Sequence, residues 1–206
     1  MTTVGRWSPN KVRARVLDGT WVSTAEELGG MVLLTPTSIA YTGTSATVGA
    51  NGSVEFTACS VLSLNGVFSA DYDNYMVVIR QDISTGANAY YRLRASNVDD
   101  STASSYVAQY FYASSTTLVA SRTTRDKGAI GYVGGVQRSG LTLNIYGPYL
   151  AQPTAWRGVS ADDYQEATIY DAAGTHNQSI SYDGFTLLPS AGALDGLVSV
   201  YGIRGA

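Results

Sequence analysis

Side chains that carry most enzyme chemistry are scarce in this chain: one histidine, His176, one cysteine, Cys59, and paired aspartates in short polar stretches. Acyl transfer needs a nucleophile, a base and an orienting carboxylate. His176 stands in Gly174-Thr175-His176-Asn177-Gln178, a loop-like setting, and no G-x-S-x-G turn occurs anywhere in the chain. A turn or surface role is expected for it. Glycoside hydrolysis needs two carboxylates facing each other across a cleft. Asp71 and Asp73, Asp99 and Asp100, and Asp162 and Asp163 all fall where Asp serves the backbone of a turn. Asp71-x-Asp73-Asn74 and Asp162-Asp163 offer hard oxygen ligands, yet neither matches the fixed glycine and distal glutamate of a calcium loop. Gly131, Gly134 and Gly135 do not reproduce the glycine spacing of a dinucleotide site. Cys59 is alone, so it forms neither an intrachain disulfide nor a zinc cluster and reads as an inert small hydrophobe. The expectation is a chain with no catalytic residues, no cofactor and no metal, and hence not an enzyme.

Recognition chemistry is better represented. Tyr149, Trp156, Tyr164 and Tyr170 lie near Asp162 and Asp163 in the most irregular part of the sequence. Aromatic faces beside carboxylates can stack on a sugar ring and accept its hydroxyl protons, which makes this group the candidate contact for a glycan. The alternative is that the rings pack a long loop or a subunit interface, where Tyr and Trp are also enriched. At the other end, Arg6, Trp7, Arg13, Arg15 and Trp21 concentrate interface-forming residue types in a segment too short to bury a core of its own. Residues 1–30 are therefore expected to be an arm that docks on another surface.

The elements that would position these groups are strands. In 206 residues there are 15 Tyr and 22 Gly, and charged residues make up only 14%, a composition of short strands and tight turns. A chain of this length should bury roughly 70% of its unfolded surface. The net charge of −3 supplies no basic field for nucleic acid. No apolar run is long enough to insert in a membrane, and Met1 to Lys11 lacks the apolar segment of an export signal, so synthesis in the cytoplasm without export by the usual route is expected.

Tyr75 to Ile79 is nearly unbroken aromatic and branched sequence, predicting a strand covered on both faces, whereas Ala89 to Ala95 alternates and predicts a half-buried partner. Ser84 to Asn88 between them suggests a hairpin. Phe185 to Pro189 and Leu197 to Ile203 read as a second hairpin, with Leu197, Tyr201 and Ile203 among its core candidates. Tyr75, Val77, Ile79, Leu93, Leu143, Phe185 and Leu187 are the principal core prediction. Gly43 to Gly52 reads as a loop. Eight or more short strands without heptads or a fixed repeat predict an all-β fold, a jelly-roll-type antiparallel β-sandwich over residues 53–206, with an entry strand and linker over 31–52 and the small docking arm over 1–30.

The segments DYDNYMVVI, YYRLR, LTLNIYGP, LAQPT, YDGFTLLP and GLVSVYG, spread from about Val54 to Gly202, together resemble a widespread group of bacteriophage virion proteins described as minor tail or minor structural proteins. The resemblance implies a non-enzymatic subunit, commonly a homotrimer, whose partners are other virion proteins of the tail or capsid and whose location is the virion. It leaves open a capsid-decorating or head-fibre role, and a carbohydrate-binding module that recognises the host. The arm lies outside the resemblance and would be the part adapted to a particular particle.

Overall fold

The computed structural model describes residues 30–83, 86–133, 138–162 and 168–203. These form sixteen strands and, among the described residues, no helix. In chain order they are β1 (Met31–Leu34), β2 (Ser38–Thr42), β3 (Ser45–Val48), β4 (Val54–Cys59), β5 (Val61–Asn65), β6 (Asn74–Ile83), β7 (Ala87–Ala95) and β8 (Val98–Asp99), followed by β9 (Tyr106–Ser114), β10 (Thr117–Arg125), β11 (Gly128–Val133), β12 (Ser139–Tyr146), β13 (Thr154–Asp162), β14 (Thr168–His176), β15 (Gly184–Pro189) and β16 (Leu194–Ile203).

Eight of these strands make a jelly roll. β4, β16, β6 and β12 lie side by side in a ten-stranded sheet, and β5, β15, β7 and β11 lie side by side in a six-stranded one. The pairing is nested and antiparallel: β4 with β16, β5 with β15, β6 with β12, β7 with β11. That is a long hairpin rolled up so that its successive pairs alternate between two facing sheets. The expected all-β antiparallel sandwich is therefore what the chain forms. β8, β9 and β10 are inserted between β7 and β11, and β13 and β14 between β12 and β15. Four of these inserted strands widen the larger sheet beyond β12 in the order β13, β14, β9, β10. β1 and β3 extend the larger sheet by pairing with β16 and β4, and β2 extends the smaller by pairing with β5, so residues 31–48 are built into both sheets and Gly43 to Gly52 is not only loop.

All seven principal core residues, Tyr75, Val77, Ile79, Leu93, Leu143, Phe185 and Leu187, are buried. The expected hairpin between β6 and β7 is not formed. The two strands belong to opposite sheets, because residues that favour a reversal serve an arch across the sandwich as well as a hairpin within one sheet. Their burial is also exchanged. β6 buries alternate residues and leaves Val78 exposed, whereas Tyr90 and Arg94 are buried on the outward face of β7. β15 and β16 likewise lie in opposite sheets. In β16 the core takes Val198 and Val200 in place of Leu197, Tyr201 and Ile203. Both parities of that strand are apolar, and register with β6 decides: Val198 opposes Ile79 and Val200 opposes Val77. Near the end of β4 a bulge places Ala58 at φ 48°, its N–H donating to Asp195 Oδ1 at 3.1 Å, and the shifted parity turns Cys59 into the core.

Candidate functional site

The two sheets differ in width, and the difference makes a cleft. The smaller sheet ends at β11, which packs over β13 and β14 of the larger one. Glycines allow that approach. A Cβ on Gly158 would stand 2.6 Å from the Ile130 carbonyl oxygen, and one on Gly131 would stand 2.6 Å from Ser160 Oγ. The Tyr132 N–H donates to Ser160 Oγ at 3.3 Å along the same line. Here the core closes. Beyond this pinch the inner face of β14, β9 and β10 overhangs the edge of the smaller sheet, leaving a half-open cleft of about 640 Å³. Ligand clefts commonly measure roughly 300–1,000 Å³.

A single cross-strand row, Ile79, Leu141, Ser160, Tyr170, Tyr112 and Val119, runs from the core out into the cleft. Its apolar members fill the sandwich where the smaller sheet covers them, and its tyrosines line the overhang where cover ends. Tyr110 stacks on Tyr170 with ring centroids 5.1 Å apart and planes 16° from parallel. Burial pushes the Tyr170 hydroxyl well above the usual phenol range, and Tyr110 and Tyr90 add to the shift, so it stays neutral. Asn88 and Tyr132, paired across β7 and β11, supply the opposite wall. Among the described residues every one that lines the cleft is uncharged. Lys127 Nζ and the Arg125 guanidinium lie 5.1 and 5.7 Å from the Tyr90 ring centre, and Arg92 pairs with Asp126.

His176 is neither in a turn nor on the surface. It ends β14, fully buried, with its ring centre 4.2 Å from that of Tyr106. Its Nδ1 lies 3.3 Å from the Tyr182 hydroxyl, which donates to Asp100 Oδ2 at 2.5 Å, and its Nε2 lies 3.4 Å from the same carboxylate oxygen. Burial lowers the imidazole's proton affinity and the nearby Asp100 offsets this only in part. Burial also raises the Asp100 carboxyl, but hydrogen bonds from Tyr182 and Thr102 outweigh it and hold the group below the usual range. Asp99 turns the other way, to Arg94 and Thr186. The Arg94 guanidinium also donates to Asn65 Oδ1 at 2.9 Å, Ser63 Oγ at 3.0 Å and Thr186 Oγ1 at 2.9 Å. The adjacent carboxylates Asp99 and Asp100 thus anchor two separate polar clusters and do not face each other. Among the described residues no group of three His, Cys, Asp or Glu side chains converges as it would around a metal ion.

The structure disperses the glycan candidates read from the sequence. Trp156 is a core residue, 2% exposed, packed edge-on against Tyr91 with its indole N–H toward the Ala129 carbonyl, so it offers no face to a ligand. The stretch that reads as irregular is strand here: β13 begins directly after Pro153 and carries Trp156. Tyr149 is exposed in the segment before β13, and Asp162 is buried at that strand's far end. Asp163 and Tyr164, like Arg6, Trp7, Arg13, Arg15 and Trp21 of the arm, lie outside the described residues. Of the described members of the aromatic group, Tyr170 alone lines the cleft. Its companions were missed because residues 88, 110, 112, 132 and 170 meet only through long-range strand order. The alternation of Tyr110 with Tyr112 was the one local signal.

No family model and no curated protein matches the chain. Among solved structures, the binding domain of botulinum neurotoxin serotype G aligns over 89% of this chain and 45% of its own length, at 8% identity and a TM-score of 0.16, too low a likeness to bear on fold or function.

Proposed function

We propose that the chain is a non-enzymatic structural subunit of a bacteriophage virion, a minor tail or surface-projecting component that docks by its N-terminal arm and presents the sandwich toward the host. The motif resemblance supplies the particle. The observation that carries an assembly role is the outer face of the ten-stranded sheet. There Leu118, Phe111, Ile169, Val159 and Val78 are each between 39% and 68% exposed and lie in two neighbouring cross-strand rows, interrupted by the Arg157–Asp171 ion pair. Extended apolar surface of this kind is uncommon on monomers and marks association. It is the face through which a homotrimer, or contact with other virion proteins, is expected. The experiment is complementation of a phage lacking this gene with the full chain or with residues 31–206. Particles purified on a density gradient should retain the full chain and lose the truncated one, while the truncated chain still folds and oligomerises in solution. Normal incorporation of the truncated chain, or absence of the full chain from particles, overturns the proposal.

A further inference from the structure

We infer that the tyrosine-lined cleft under the β14–β9–β10 overhang is a binding site for a neutral oligosaccharide. The inference deepens the host-contact part of the proposed function, but it rests on the cleft itself and not on where the subunit is assembled.

The lining selects the ligand class. A sugar presents alternating apolar C–H faces and hydroxyl edges, so its site needs aromatic rings for the faces together with neutral donors and acceptors for the edges. Tyr110, Tyr112, Tyr132 and Tyr170 supply both in one side chain, and Asn88 adds an amide that can donate and accept. Among the described residues no guanidinium or ammonium lines the cleft to neutralise a uronate, sialate or sulfate, and no carboxylate lines it to hold a cation. Arg125 and Lys127 lie over Tyr90, which is not part of the described lining. A charged glycan would lose hydration there without gaining a partner.

The cleft is also rigid before any ligand arrives. Tyr112 and Tyr170 are direct partners on adjacent strands, and Tyr110 stacks on Tyr170. On the opposite wall the Asn88 backbone is tied at both ends to Ser190: its N–H donates to Ser190 Oγ at 3.0 Å and its carbonyl accepts from the Ser190 N–H at 2.9 Å. Stacked rings and an anchored backbone wall lose little conformational freedom on binding, so weak contacts to a flexible sugar can still add up. One open side lets a longer chain continue past the subsite, as a surface polysaccharide requires.

The test is an array of neutral glycans alongside uronate-bearing, sialylated and sulfated ones, probed with the labelled full-length protein, followed by calorimetry with the soluble form of the best ligand. Neutral glycans should be retained. Tyr112→Ala should weaken binding at least tenfold, while Tyr112→Phe and Asn88→Ala, which leave the packing in place, should weaken it several-fold. Tyr149→Ala, outside the cleft, should leave it unchanged. Retention of no neutral glycan, a preference for charged ones, or binding that depends on Tyr149 and not on the cleft residues overturns the assignment. Because the assay uses the soluble protein, its failure leaves virion incorporation standing, and absence from virions leaves the cleft result standing.

Discussion

Replacing Gly158 by alanine isolates the contact that closes the core beside the cleft. In an ordinary strand this change helps, since removing glycine's excess conformational freedom stabilises by roughly 0.5–1 kcal/mol. At Gly158 the new Cβ would sit 2.6 Å from the Ile130 carbonyl oxygen and 3.1 Å from the Ile130 Cα. Those are backbone atoms of the facing sheet and cannot rotate aside, so β11 must lift away from β13. Overpacking of this kind costs about 1–3 kcal/mol, which exceeds the entropic gain and leaves a net loss of about 1–2 kcal/mol. For a domain of this size each kcal/mol corresponds to roughly 2–4 °C in Tm, so a fall of several degrees is expected by thermal or urea denaturation. Gly140 is the control: it lies on β12 of the same sheet, and a Cβ there meets nothing within 4 Å. Gly140→Ala should be neutral or slightly stabilising. A Gly158→Ala protein as stable as the parent, or indistinguishable from Gly140→Ala, would refute the close approach of the two sheets at this line.

The other expectations concern the core and the buried polar groups. Val77 is fully buried beneath both sheets, so Val77→Asp should cost several kcal/mol and abolish a cooperative urea transition, whereas Val77→Ile should not. Stability should fall on acidification, first as pH drops through about 6.5, where an unfolded histidine gains a proton that buried His176 resists, and again below about 4, where Asp100 is protonated more readily in the unfolded chain. Both groups bind protons less readily when folded, so the two effects share a sign, and Tm measured from pH 8 to pH 4 should decline; a flat or rising profile contradicts the described cluster, and His176→Gln should remove the upper limb. The Cys59 thiol is buried and its proton affinity is raised by that burial and by Asp195, so it should resist a thiol-specific disulfide reagent in the native protein and react fully in urea.

Apolar character was enough to name core residues of β6, β12 and β15, although the unbroken run in β6 reads as covered on both faces and only every second residue is buried. It could not identify the partner strand. The polar segment between β6 and β7 carries the same residue types whether the chain reverses within one sheet or crosses to the other, and only the nested pairing of β7 with β15 and β11 distinguishes them. β16 shows the same limit at single-residue scale. Leu197 and Val198 are equally apolar, and contact with Ile79, far away in sequence, determines which one turns inward. Trp156 falls in a stretch that reads as irregular, whereas it lies on β13, directly after Pro153, and is buried there. His176 appeared exposed because Gly, Thr, Asn and Gln surround it, yet Tyr106, Tyr182 and Asp100, which enclose it, come from other parts of the chain. The cleft was the least legible feature, since its walls belong to two different sheets.

The virion assignment is tested most directly by labelling intact, purified particles with gold-conjugated antibodies against the sandwich and imaging them by electron microscopy. A surface-projecting subunit predicts gold at a fixed, repeated position on the particle exterior, with no label on particles from a strain lacking the gene. Label confined to unassembled protein in the infected-cell lysate, with bare particles, would contradict it.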